Sequence, residues 1–122
     1  MDFKQDKDDP SKDVDPRYLS APAWYGLWQA DKLHKEQTGT EATCTSTGDT
    51  KHSVKRSRHY TGEFGFGFCN AWDLRIWAFR SQSSRERFTH LLSEKLGPDW
   101  VVVLESDHIH AHWGPVFREH QG

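Results

Sequence analysis

The sequence is poor in cysteine and methionine, has little net charge of either sign, and contains no long apolar run. Two cysteines, Cys44 and Cys69, among 122 residues do not make a disulfide framework, so two free thiols in a reducing compartment are expected. No segment reaches the roughly 18 consecutive apolar residues of a membrane span, and no basic-then-apolar leader opens the chain. A soluble protein without an export signal or a membrane partner is the expectation. Sixteen Lys and Arg against eighteen Asp and Glu leave a net charge of −2, so no net positive field draws the chain to a phosphate backbone, and nucleic acid is not the default partner.

What is present is aromatic. Only 34% of residues are hydrophobic and the mean hydropathy is −0.88, yet six Trp and seven Phe can fill a small core efficiently. The length suits a single domain. Residues 1–19, dense in Asp and Lys with two prolines, have the composition of a disordered arm, which leaves 20–122 as the folded domain.

Ser20 followed by Pro22 reads as a helix start, and Trp24, Leu27 and Trp28 recur at helical spacing, which predicts a helix to about Lys35 burying that stripe. "GTEATCTSTGD", 39–49, predicts a short strand ending in a loop. "KHSVKRSRHY" then makes a local basic surface from Lys51, Lys55, Arg56 and Arg58. "NAWDLRIWAF", 70–79, predicts a central strand. Ser83 with Glu86 has the spacing of a capping box. Phe88, Leu91, Leu92 and Leu96 follow on one helix face until Gly97 and Pro98 stop it. "WVVVLE" predicts a buried strand and "HIHAHW" an alternating one. The sum is an α+β fold, a small, mainly antiparallel sheet with flanking helices.

In an extended strand His108, His110 and His112 share one face while Ile109, Ala111 and Trp113 take the other. Neutral imidazole is a common zinc ligand, but a catalytic zinc needs about three protein ligands with one position left open. A strand of histidines alone does not supply them. His34, His90 and His120 have no ligand-like neighbours in sequence.

Two upstream motifs change the reading: "SRHYTG", 57–62, and "NAWDLR", 70–75. Together with "LGPDWVVVLESDHIHAHW" they resemble, in order, the motifs of the zinc D-alanyl-D-alanine peptidases, especially the phage-type peptidoglycan peptidases, which share a fold with the Hedgehog signalling domain. The resemblance runs from about Ser46 to Pro115. It implies one Zn2+ per chain held by His59, Asp73 and His110, with Asp107 as the catalytic acid that takes a proton from water and gives it to the leaving amine. It also implies that Ser57 and a nearby cation, with Arg56, Arg58 and Lys51 as candidates, bind the substrate's carboxylate or the developing oxyanion. A competing register makes Glu105 the base and His108 a ligand, and His52 and His112 are candidates for orienting ligands.

Relative to the family, "EFGFGFC", 63–69, is interposed between His59 and Asp73, and His112 stands where an acid is common. The expected protein is a monomeric zinc metallopeptidase acting on bacterial cell-wall peptide, cytoplasmic in a producing or infected bacterium, or virion-associated. The alternative is an inactive virion or interaction protein that keeps the fold and the metal.

Overall fold

A computed structural model describes residues 1–9, 13–47 and 69–114. In chain order these form β1 (Asp2–Phe3), a 3-10 turn (Pro16–Tyr18), α1 (Ala21–Thr38), β2 (Thr43–Ser46), β3 (Ala71–Arg75), α2 (Gln82–Leu96), β4 (Trp100–Leu104) and β5 (His108–Trp113). The five strands make one sheet in the order β1-β2-β3-β5-β4. The fold is α+β as expected, but the sheet is mixed rather than mainly antiparallel, because β1 pairs with β2 in parallel. A parallel neighbour needs a crossover connection, and α1 supplies it.

Within the segment read as an arm, Asp2–Phe3 joins the sheet as β1. β1 lies at the sheet edge, with Asp2 N–H bonded to Ala42 O at 2.9 Å and Lys4 N–H to Cys44 O at 2.9 Å. Composition marked the segment as polar. A two-residue strand has no periodicity to detect.

α1 begins where Ser20 and Pro22 predict: the Ser20 hydroxyl accepts the Ala23 N–H, and Gly39 closes the helix in the left-handed conformation. Its buried stripe differs from the predicted one. Leu27 is fully buried, but Trp24 and Trp28 are 42% and 55% exposed. The inward face is instead Ala23, Gly26, Leu27, Ala30 and Leu33. Small residues are needed there because two sheet tryptophans come up against the helix. The Trp72 indole N–H donates to Ala23 O at 3.0 Å, and the Trp100 ring occupies the space a Cβ on Gly26 would fill. Lys32 then lies over the outward Trp28 ring, 4.5 Å from its centroid.

α2 starts two residues earlier than the Ser83 and Glu86 spacing suggests. Ser81 is the cap, and Ser84 does the reciprocal work expected of an acid: Ser81 Oγ accepts the Ser84 N–H, and Ser84 Oγ accepts the Ser81 N–H. Phe88 and Leu92 are buried on its inner face.

The core lies between the helices and one face of the sheet. Trp72, Leu74, Ile109 and Ala111 project there to meet Leu27, Phe88 and Leu92. Burying each large apolar side chain contributes about 1.5–3 kcal/mol, so truncating Leu74 or Ile109 to Ala costs about 2–5 kcal/mol. Cys44 and Cys69 are buried free thiols. β4 is half exposed rather than a buried strand, since Val101 and Val103 are 36% and 39% exposed along the outer strand of the sheet.

Strand pairing settles which residues share the other face. Asp73 stands opposite His110 and His110 opposite Val103; Arg75 stands opposite His108, and Ala71 opposite His112. With Leu74 and Ile109 committed to the core, alternation places Asp73, Arg75 and the three histidines on the face away from it.

Candidate functional site

β3 and β5 are antiparallel neighbours, so residues 37 apart in sequence become side-chain partners. Asp73 Oδ1 lies 3.0 Å from His110 Nδ1, and Asp73 Oδ2 lies 3.7 Å from His108 Nε2. His108 Nδ1 meets Asp107 Oδ1 at 2.5 Å, and His110 Nε2 meets His112 Nδ1 at 2.9 Å. Five side chains therefore form one continuous polar row, in the order His112, His110, Asp73, His108, Asp107. Only Asp107 stands mainly in solvent, its side chain 82% exposed against 15% for Asp73 and 21% for His110.

An open groove of about 270 Å³ runs beside the row, lined by Lys4, Thr45, Ser46, Asp73, Arg75, Trp77, Asp107 and His108. The Arg75 guanidinium stacks on the Trp77 ring, 3.9 Å from its centroid. A structural ion pair between Asp73 and Arg75 is the simplest alternative use of these charges. Among the described residues Arg75 makes no ion pair, whereas Asp73 faces His108 and His110.

Of the expected zinc ligands, the structure brings Asp73 and His110 together. His59 lies outside the described residues, as do Arg56, Ser57, Arg58, Lys51 and His52. Among the described residues no group of three or more His, Cys, Asp or Glu side chains could hold a metal ion. The two donors present meet at hydrogen-bond distance, a spacing also compatible with a shared zinc. Tetrahedral ligands at bonds of about 2.0–2.1 Å lie roughly 3.3 Å apart, close to the 3.0 Å between the Asp73 oxygen and the His110 nitrogen. An oxygen and a nitrogen donor from adjacent strands suit zinc chemically.

In the competing register, Glu105 is an exposed residue of the turn between β4 and β5, where its N–H bonds His108 O at 2.8 Å. Its carboxylate makes no hydrogen bond or ion pair with His108 among the described residues, and His108 faces Asp73 and Asp107 instead. His34 is a satisfied core histidine with Nδ1 2.7 Å from Thr40 O, and His90 pairs with Glu94 on the surface of α2. Sequence reasoning missed Lys4, Arg75 and Trp77 as groove residues. The Arg-x-Trp spacing that stacks the two is visible in sequence; the approach of Lys4 is not, because β1 precedes the groove's other strands by some forty residues.

No helix of the described residues is long and apolar enough to cross a membrane. Comparison with protein-family models, with curated proteins and with solved structures finds no match.

Proposed function

We propose that the chain is a zinc-dependent hydrolase, and more narrowly a peptidase of bacterial cell-wall peptides, of the D-alanyl-D-alanine carboxypeptidase or peptidoglycan endopeptidase type. The observation that carries this reading is the meeting of Asp73 and His110, from two separated motifs, on an open sheet face. The narrower reading rests on the order of the motifs in the sequence and on an exposed acid, Asp107, at the groove beside the pair.

Asp73 and His110 would hold the zinc, with His59 as third ligand. When bound, zinc supplies Lewis acidity toward an amide carbonyl and the water that attacks it. Asp107 would accept a proton and return it to the departing amine: its carboxylate stands in solvent and, among the described residues, meets His108. Lys4, Arg75 and Trp77 shape the groove in which the peptide would lie.

The test is direct. Full-length protein incubated with zinc is offered a panel of peptidoglycan fragments, and the products are identified by mass spectrometry. Release of D-alanine marks a carboxypeptidase, and cleavage within a stem or cross-link marks an endopeptidase. Zinc binding without any cleavage overturns the enzymatic reading in favour of an inactive interaction protein on the same scaffold.

A further inference from the structure

We propose that His112 is a positioning residue that selects which nitrogen of His110 faces the metal, holding the Nε2–H so that Nδ1 is left bare toward Asp73. The inference rests on the zinc reading of Asp73 and His110, and adds to it a residue outside the ligand set.

Both ring nitrogens of His110 have a close neighbour: Nδ1 has Asp73 Oδ1 at 3.0 Å, and Nε2 has His112 Nδ1 at 2.9 Å. An ionised carboxylate can only accept, so the nitrogen facing it carries a proton or shares a cation with it. With a cation shared by Asp73 and Nδ1, the single proton of a neutral His110 sits on Nε2, and His112 Nδ1 is the acceptor placed to receive it. The proton of a neutral His112 is then on its own Nε2. Without a cation the polarity reverses: Nδ1–H donates to Asp73, and Nε2 accepts from His112 Nδ1–H. One geometry serves both states, with each imidazole exchanging one tautomer for the other and no net change in protons.

His112 is suited to this by its place on β5. Residues two apart on a strand share a face, so the pleat itself sets the two rings side by side, their centroids 5.1 Å apart. Its Nδ1 faces the far nitrogen of His110 rather than Asp73. Partners that hold the second nitrogen of a ligating histidine commonly contribute about 10- to 100-fold in metal affinity.

The experiment uses the full chain with 15N-labelled imidazoles, read by long-range proton–nitrogen correlation spectra, and zinc affinity by competition with a chromophoric chelator. In zinc-loaded wild type His110 is expected to carry its proton on Nε2, and in the metal-free protein on Nδ1. His112→Leu removes the acceptor and should weaken zinc about 10- to 100-fold, while His112→Gln, whose amide oxygen accepts, should recover most of the loss. A zinc-loaded wild type with the His110 proton on Nδ1, or a folded His112→Leu that binds zinc as wild type does, overturns the role of His112 and leaves the zinc reading standing. If His112→Leu fails to fold, the wild-type spectra of His112 decide: its proton should sit on Nε2 with zinc bound and on Nδ1 without, and a zinc-loaded protein with that proton on Nδ1 overturns the role. Wild type that binds no zinc overturns both, and is distinguishable because the failure occurs with His112 intact.

Discussion

Asp73 and His110 face each other directly across the β3–β5 ladder, and their side chains meet at 3.0 Å on the sheet face away from the helices. The contact is set by backbone register. A one-residue slip of β5 would turn His110 into the core and bring Ile109 or Ala111 out to Asp73. Buried Ile109 and Ala111 oppose that slip, so the core holds the site in place.

Asp73→Ala and His110→Ala should each abolish tight zinc binding while leaving the fold intact, since both side chains point away from the core. Metal content of the purified protein, measured by mass spectrometry alongside circular dichroism, checks this. Zinc retained at the wild-type level by either variant would remove that residue from the ligand set.

Asp107→Asn should retain zinc and lose hydrolysis by about 10²- to 10⁴-fold, the usual contribution of a positioned proton acceptor. The matched control is Glu105→Gln. A larger loss from Glu105→Gln than from Asp107→Asn would favour the register in which Glu105 is the base and His108 a ligand.

Gly26→Ala should destabilise the protein although alanine is the better helix former. The new Cβ would lie 2.3 Å from the Trp100 ring, and such overpacking costs about 1–3 kcal/mol or more, against the ~1 kcal/mol gained from helix propensity. A urea midpoint that falls bears this out; a rise would show that Trp100 shifts freely. Shortening the ring in Gly26→Ala/Trp100→Leu should restore part of the loss.

Acid should loosen the α1–β2 junction through Asp31. Burial alone would raise this carboxyl, but the Ala42 N–H at 2.9 Å, the Lys35 ammonium and the Met1 amino group outweigh it and hold the pKa below its ordinary 3.8. A carboxyl depressed on folding stabilises fully above its unfolded value, and that contribution is lost as pH falls through the folded value. Asp31→Asn should therefore be less stable than wild type at neutral pH, with a shallower decline of stability below about pH 4. Denaturant titrations at several pH values measure both.

Neither thiol should react in the native state. Burial pushes the Cys44 thiol up to about 12, so almost no thiolate forms at neutral pH, and Cys69 is as deeply buried. Labelling by a thiol reagent should be slow in native protein and complete for both cysteines in denaturant. Fast native labelling of Cys44 would show that the sheet opens at β2.

Some of this was legible in the sequence because local rules and tertiary packing agree. The Ser20 cap, the Gly97 end of α2 and the alternation of "HIHAHW" each follow from a few adjacent residues, whereas α1 runs on to Thr38, past the expected end near Lys35. The tryptophans of α1 were misplaced because hydrophobicity does not reveal that Trp72 and Trp100 of the sheet need the small face of the helix. The α2 cap was displaced because serine can do the work of glutamate when its hydroxyl reaches the preceding N–H.

The sequence alone determined the chemical alphabet: three histidines on one strand face, an acid two residues into "AWDLR", and a second acid ahead of "HIH", since alternation is a local property of extended chain. Only the tertiary structure decided who meets whom. That Asp73 lies against His110, that His112 takes the second nitrogen, and that β1 returns in parallel to bring Lys4 to the groove all depend on strand order and register. Those are set by the burial of Trp72, Leu74, Ile109 and Ala111 beneath the helices, a balance over the whole core that no short stretch of residues contains.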